Sequence, residues 1–258
     1  MLQSKNIVII GGTSGIGLAA AIRFQELGAN IVCIGKAEDG INQVKTTSST
    51  YHTLLADATK NETAEWGISY CLEKFKGFHG LLHVAGGSGR KFGDGPLHEM
   101  TAEGWLKTME LNATSVMLSN KAAIKSFMDL GNGGAIVNIA SVLSDNPAAH
   151  YFSTHAYAAS KAAVIGLSKS AASYYAKENI RINVISPGLV ETPMSKRAAE
   201  NEQIMSYIKT KQPLDGGRIG YPNDMTELMA LLLSDNGSFI TGQNISVDGG
   251  WSISEGQY

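Results

Sequence analysis

With two cysteines in 258 residues, Cys33 and Cys71, the chain has neither a disulfide framework nor a thiolate metal cluster. Cys33 falls in a predicted strand and Cys71 in a predicted helix, so both are expected to be buried thiols. Six prolines and no Pro/Ser-rich or charged block leave nothing that reads as a linker, and residues 1–258 are expected to form one domain. Charge is sparse as well. Only 17% of residues are charged and the net charge is −2, which gives no basic footprint for a nucleic acid or an anionic membrane surface. The run Leu231-Leu232-Leu233 is too short to span a bilayer. No charged leader with a long apolar stretch stands ahead of the first predicted strand, so a reducing cytoplasm is the expected compartment. His52, His79, His83, His98, His150 and His155 lack paired ligand spacing, and no metal is expected.

What the chain does have is glycine, 29 residues of it, and a hydrophobic fraction of 43%, which suits a buried sheet with many tight strand-to-helix turns. Short apolar runs rich in β-branched residues predict strands near 5–10, 31–35, 53–56, 80–85, 135–139, 180–186 and 243–247, with helices in the intervals. Continuous βα alternation predicts an α/β fold, a doubly wound parallel sheet of seven strands with helices on both faces. Ligands of such sheets bind at the carboxyl ends of the strands, where Gly11, Gly86, Ser141 and Pro187 emerge.

Two local patterns carry chemistry. Tyr157-Ala158-Ala159-Ser160-Lys161 sets a phenol and an ammonium four residues apart on one face of a predicted helix. A lysine charge held near a phenol stabilises the phenolate and moves its titration from about 10 toward neutrality, making Tyr157 a candidate acid and base. The second pattern is Gly11-Gly12-Thr13-Ser14-Gly15-Ile16-Gly17, between the first apolar run and a helix-periodic segment reaching Leu27. Its glycines permit a tight turn, and a helix N-terminus offers unpaired amides to a pyrophosphate. Gly11, Thr13, Ser14, Gly15, Ile16 and Gly17 are therefore candidate nucleotide-binding residues. The spacing Gly-x-x-x-Gly-x-Gly differs from the commoner Gly-x-Gly-x-x-Gly.

Together these patterns resemble the short-chain dehydrogenases/reductases of single-domain length, and the resemblance spans essentially the whole chain. It implies a Rossmann-type fold and hydride transfer between a nicotinamide cofactor and a carbonyl or secondary alcohol. Asp57, with Ala58 after it, stands where the family has an aspartate near the adenine. Asn112, in Leu111-Asn112-Ala113-Thr114, matches the catalytic asparagine, implying support of a water relay, and Ser141 matches the serine that polarises the substrate oxygen. Tyr157 and Lys161 then serve both catalysis and the nicotinamide ribose. Pro187-Gly188-Leu189-Val190-Glu191-Thr192 resembles the segment holding the nicotinamide, giving Pro187, Gly188, Val190 and Thr192, and Thr241-Gly242 with Val247-Asp248-Gly249-Gly250 resembles the C-terminal signature. The implied partners are a small carbonyl or alcohol substrate and further copies of this chain, commonly as a tetramer joined through the helices bearing Asn112 and Tyr157. The rival reading from another class is a nucleotide-binding sensor or scaffold without turnover. Within the family, enoyl reductases tend to space the tyrosine and lysine differently.

Cofactor choice turns on Gly35-Lys36 at the end of the second predicted strand. Lys36 can neutralise the extra phosphate of NADP(H) and Gly35 leaves room for it, so NADP(H) is favoured over NAD(H). Glu38 or Asp39, slightly later, would reach the ribose only after a loop shift. Ser141 precedes Tyr157 by sixteen positions where the family spacing of thirteen points to Ser144. Ser141 is preferred because it directly follows its strand, the extra residues being absorbed in the loop around Pro147. Where relatives carry Asn-Asn-Ala-Gly this chain has His83-Val84-Ala85-Gly86, with Ala85 and Gly86 expected at the cofactor, then the glycine-rich insert 87–95. His83 either braces the sheet in place of the asparagines or simply packs there. Arg90 and Lys91 in the insert either attract an acidic substrate group or are solvated. Residues 193–217, polar and helix-prone with Met194, Met205 and Tyr207, are expected to cover the substrate as a lid.

Overall fold

The structure is a computed structural model, and it describes residues 1–36 and 49–257; Glu38 and Asp39 lie outside the described residues. Seven strands, β1 (Asn6–Ile10), β2 (Asn30–Gly35), β3 (Tyr51–Leu55), β4 (Gly80–His83), β5 (Gly134–Ile139), β6 (Ile180–Pro187) and β7 (Asn244–Val247), form one sheet in the order β3-β2-β1-β4-β5-β6-β7. Every pairing is parallel. The doubly wound sheet read from the sequence is therefore present. β4 ends two residues short of its expected bound because the amides of Val84 and Ala85 both donate to the Ile10 carbonyl, turning the chain off the ladder.

Parallel strands buried on both faces must be apolar at every position, and all five residues of β1 are buried. Ile7 and Ile9 pack with Leu18 and Phe24 of α1 (Gly15–Glu26) and with a methionine of a later helix, Met229. Val8 and Ile10 face the other way, onto Ala64, Ile68 and Cys71 of α2 (Asn61–Phe75) and toward Phe127. Each such side chain fully buried contributes about 1.5–3 kcal/mol, so the alternation along one strand secures a helical layer on each side. Cys33 and Cys71 are buried thiols on opposite faces.

The remaining helices are α3 (Ala102–Met109), α4 (Ser115–Leu130), α5 (His155–Tyr175), α6 (Lys196–Ala199), α7 (Glu202–Lys211) and α8 (Thr226–Leu233). A π-helical turn, Glu110–Thr114, joins α3 to α4. The strand order reverses at β1 and β4: from β1 the chain runs outward to β3, then returns to lay β4 on the other side. That reversal opens a crevice at the carboxyl ends of these strands. Among the described residues no helix is long and apolar enough to cross a membrane.

Candidate active site

A cavity of about 540 Å³ fills the crevice. Its wall includes Gly11, Thr13, Ser14, Gly15 and Ile16 from the β1–α1 loop, Gly35 and Lys36 after β2, Asp57 and Ala58 after β3, and Ala85 and Gly86 after β4. Ser141, Tyr157, Lys161, Pro187, Gly188, Val190 and Thr192 complete the set from the other half of the sheet. Of the residues read from the sequence, Gly17 and Asn112 alone are off the wall.

Each exception has a packing reason. Gly17 is buried in the first turn of α1, and a Cβ there would lie 2.0 Å from the Gly11 carbonyl oxygen. It lets the helix close onto the loop. Gly11 adopts φ +87°, open to glycine at little cost, and a side chain there would strike the Ala85 amide. Asn112 sits in the π-helical turn with its side chain fully buried. Its Nδ2 donates to the carbonyls of Thr108 at 2.8 Å and Gly87 at 3.0 Å, and its Oδ1 accepts from the Gly87 amide at 3.0 Å. Both Nδ2 hydrogens are thus committed to backbone, and only Oδ1 keeps a lone pair, on the side of Gly86 and the Lys161 ammonium.

The adenine end differs from expectation in one detail. The space beside Gly35 is taken by Thr13, whose Oγ1 would be 2.1 Å from a Cβ built at Gly35, so this glycine accommodates the loop rather than a phosphate. Lys36 Nζ lies 2.7 Å from Asp57 Oδ2, with the lysine side chain 63% exposed. Burial pushes the Asp57 carboxyl up, but the hydrogen bonds from Lys36 and from the Thr59 amide and hydroxyl outweigh it and hold the group at about 2.

At the opposite end, Ser141 closes β5, its Oγ accepting from the Leu143 amide at 3.2 Å, and it lies near enough to Tyr157 on α5 to act on the phenol. Ser144 lies one turn on, its Oγ donating to the Ser141 carbonyl at 2.7 Å, and is not on the cavity wall. Lys161, one turn beyond Tyr157, is buried, with Nζ 5.7 Å from the centre of the tyrosine ring and donating to the Ile139 carbonyl at 2.9 Å. The expected lowering of the phenol by this lysine is not what the geometry gives. Burial pushes Tyr157 up and Ser141 only partly offsets it, while burial pulls Lys161 itself down to about 8. The ammonium is spent on a carbonyl and weakened by the same desolvation that raises its neighbour.

A family model described as enoyl-(acyl carrier protein) reductase matches residues 11–252. A 2,5-dichloro-2,5-cyclohexadiene-1,4-diol dehydrogenase of Sphingobium indicum is 33% identical over 98% of both chains. A 3beta-hydroxysteroid dehydrogenase of Eggerthella lenta is 32% identical, covering 98% of this chain and 96% of its own. A short-chain type dehydrogenase/reductase from Mycobacterium ulcerans superposes with a TM-score of 0.89 at 29% identity, over 98% of this chain and 92% of that one. The chain belongs to the short-chain dehydrogenases/reductases. It is an NAD(P)-dependent oxidoreductase acting on CH–OH and C=O groups.

As a short-chain dehydrogenase/reductase the chain has three further features at its site, of which two were partly visible in the sequence. His83, in place of an asparagine, is fully buried in β4. Its Nε2 lies 3.0 Å from the Ala85 carbonyl, which can only accept, so Nε2 carries the proton; Nδ1, 2.7 Å from Ser119 Oγ, then accepts from that hydroxyl. The histidine therefore braces the sheet to α4. Burial and the nearby Lys161 charge push it down to about 3, against the opposing bond to Ala85. The folded chain thus resists a proton that the unfolded chain takes up near pH 6.5, so stability rises with pH between these values and is lost as pH falls. Denaturant titrations should show about 2 kcal/mol less stability at pH 5 than at pH 7 from this residue. His83→Asn should lose that part of the slope, and an unchanged slope would overturn the assignment.

The second feature is Asp94, at the end of the glycine-rich insert and buried. Its two carboxylate oxygens accept from the amides of Ala156 and Tyr157, each at 2.9 Å. α5 has no side-chain cap from its own flanking residue, so a carboxylate from a distant loop satisfies its first turn and pins the backbone of Tyr157. No local capping pattern could reveal a partner more than sixty residues away. The third is the segment 193–217, where Met194 and Arg197 reach the cavity wall whereas Tyr207 is buried, packed against Tyr151 and Trp251 as ordinary core.

Proposed function

We propose that the chain interconverts a secondary alcohol and its ketone, with Tyr157 as the proton-transfer group. The observation that carries this reading is that Ser141, Tyr157 and Lys161 share one cavity wall, with Lys161 Nζ 5.7 Å from the tyrosine ring, at the mouth of the sheet's topological reversal. A nicotinamide dinucleotide fits the residues present. α1 begins without a side-chain cap and without an acidic residue in its first turn, so its unpaired amides are left for a pyrophosphate beside Thr13 and Ser14. The chemistry supplied by the bound nicotinamide is acceptance or return of a hydride.

The chain's own residues handle the proton. During oxidation the Tyr157 oxygen takes the hydroxyl proton as the carbinol carbon gives up its C–H electron pair; during reduction it returns it. Ser141 Oγ hydrogen-bonds the same substrate oxygen as charge develops there. Lys161 holds the ribose and, below about pH 8, supplies the positive charge that favours the phenolate. Asn112, through the remaining lone pair of Oδ1, supports a water on the Lys161 side. Residues 193–217 act as the lid. The relatives named above act by name on a cyclic diol and a hydroxysteroid, which supports a secondary alcohol as the substrate class.

The first test is nicotinamide fluorescence on titration with NADPH and with NADH, then absorbance of the reduced cofactor with ketones, aldehydes and 3-ketoacyl thioesters. Oxidation of reduced cofactor by one class supports the reading. Tight binding without turnover across the whole panel points instead to a sensor or scaffold. An enoyl thioester in the same assay tests the chemistry that describes the matching family model.

NADP(H) is the favoured cofactor and NAD(H) the alternative. The Lys36–Asp57 pair is largely exposed and worth about 0–1 kcal/mol, so a phosphate can draw Lys36 away at little cost. Lys36→Ala should raise the Kd for NADPH about tenfold and leave that for NADH within about twofold, the loss of one charge-assisted contact. Equal effects on both cofactors would remove the basis for the preference.

A further inference from the structure

Two arginines stand at the substrate end of the cavity with no ion-pair partner among the described residues. Arg90 begins the short helical turn Arg90–Phe92 of the insert and donates from Nη2 to the Tyr151 carbonyl at 3.3 Å. Arg197, exposed to solvent, lies on α6 within the segment 193–217; Arg90 is half-buried, and both residues line the cavity. The two guanidinium charges interact, and burial together with that repulsion pulls Arg90 down from its ordinary value. Asp94 is the carboxylate that opposes this, but both its oxygens are committed to the amides of α5. The only carboxylate on the described cavity wall is Asp57, and it is paired with Lys36 at the adenine end.

Apolar side chains, Val142, Leu143, Phe152 and Trp251, line the cavity with them, beside the hydroxyl residues Ser88 and Thr154. Like charges gathered against apolar surface are unfavourable unless an anion joins them. A carboxylate suits the site, because each of its two oxygens can take one guanidinium fork.

We infer that Arg90 and Arg197 form an anion subsite for the carboxylate of the substrate, so that the enzyme acts on hydroxy acids and oxo acids whose middle portion is apolar. This rests on the alcohol/ketone reading above and narrows it to a substrate class. The reacting oxygen meets Ser141 and Tyr157 while the carboxylate, at the far end of the molecule, fixes which carbon is presented.

The test is a series of oxo acids from 4-oxopentanoate to 7-oxooctanoate, each compared with its methyl ester, in the wild type and in Arg90→Met and Arg197→Met. The acid should exceed its ester in kcat/KM by at least about tenfold at the best length, a difference of 1.4 kcal/mol. Either methionine variant should lower that ratio at least about tenfold, and Arg90→Lys or Arg197→Lys should restore part of it. Lys91→Met, an exposed neighbour off the cavity wall, should leave the ratio unchanged. A second arm titrates hexanoate, which cannot react, into the chain–NADPH complex by calorimetry. Binding should be seen with the wild type and lost in both methionine variants.

Acid and ester reduced equally well would overturn the subsite while leaving the alcohol/ketone reading intact. A methionine variant that weakens NADPH itself about tenfold would reassign its arginine to the cofactor and also overturn the proposal. If no ketone is reduced in either form, the alcohol/ketone reading falls. Hexanoate binding then decides the subsite by itself.

Discussion

Tyr157→Phe is expected to lower kcat by about a thousandfold while the Kd for NADPH changes by no more than about twofold. The phenyl ring keeps the volume, the helix and the contact with Lys161, so the fold and the cavity should persist; only the oxygen that moves the proton is gone. Because burial raises the phenol in the free chain, the group is a poor base until further positive charge reaches it. Lys161 carries that charge below about pH 8 and loses it above. Oxidation of alcohol should therefore lose rate above that pH for want of the ammonium, and at low pH for want of the phenolate. Stopped-flow measurement of the first turnover separates this step from product release. Near-normal turnover by the phenylalanine variant would sink the assignment of the proton-transfer role.

The two serines give the second large effect. Ser141→Ala is expected to reduce kcat about a hundredfold, the magnitude of one donor removed from a site where charge develops on oxygen. Ser144→Ala should leave kcat within about threefold and cost about 1 kcal/mol of stability, because its hydroxyl only closes a turn onto the Ser141 carbonyl. The comparison is demanding because the two residues differ little in sequence context, and the family spacing to the tyrosine favours Ser144. What separates them is position. Ser141 leaves β5 at the cavity, on the wall it shares with Tyr157, while the intervening residues loop out through Pro147 toward Trp251, whose Nε1 donates to the Asn146 carbonyl at 2.9 Å. A hundredfold loss at Ser144 with little change at Ser141 would reverse the assignment.

The strands were legible because parallel buried strands have no polar face to confuse the pattern: Ile7 through Ile10 and Ile31 through Ile34 are apolar on both sides. Most of the cavity wall was legible because its segments follow directly from the ends of such strands. Contacts between distant segments were hidden. Nothing near Gly35 tells that Thr13 fills the space beside it, and nothing near Asn112 tells that its amide is committed to Gly87 and Thr108. The tyrosine–lysine pair was read from helical spacing, which places the side chains on one face but is silent about desolvation. Spacing therefore gave the pair but not the burial that raises the phenol. Arg90 and Lys91 are neighbours in sequence, yet one lines the cavity and the other does not, a difference created by the short helical turn that starts at Arg90.

Asp94 follows Arg90 by four positions in the insert 87–95, and its carboxylate is fastened to the turn that carries Tyr157. Three residues thus join the part of the molecule that would meet one end of a substrate to the part that would work on the other. A chain designer who lengthened or replaced this loop to admit a new molecule would be cutting a mooring line of the catalytic helix as well. Selectivity and catalytic order in this protein are therefore not separable properties to be tuned one at a time: a change in the shape of the doorway is also a change in the seating of the phenol.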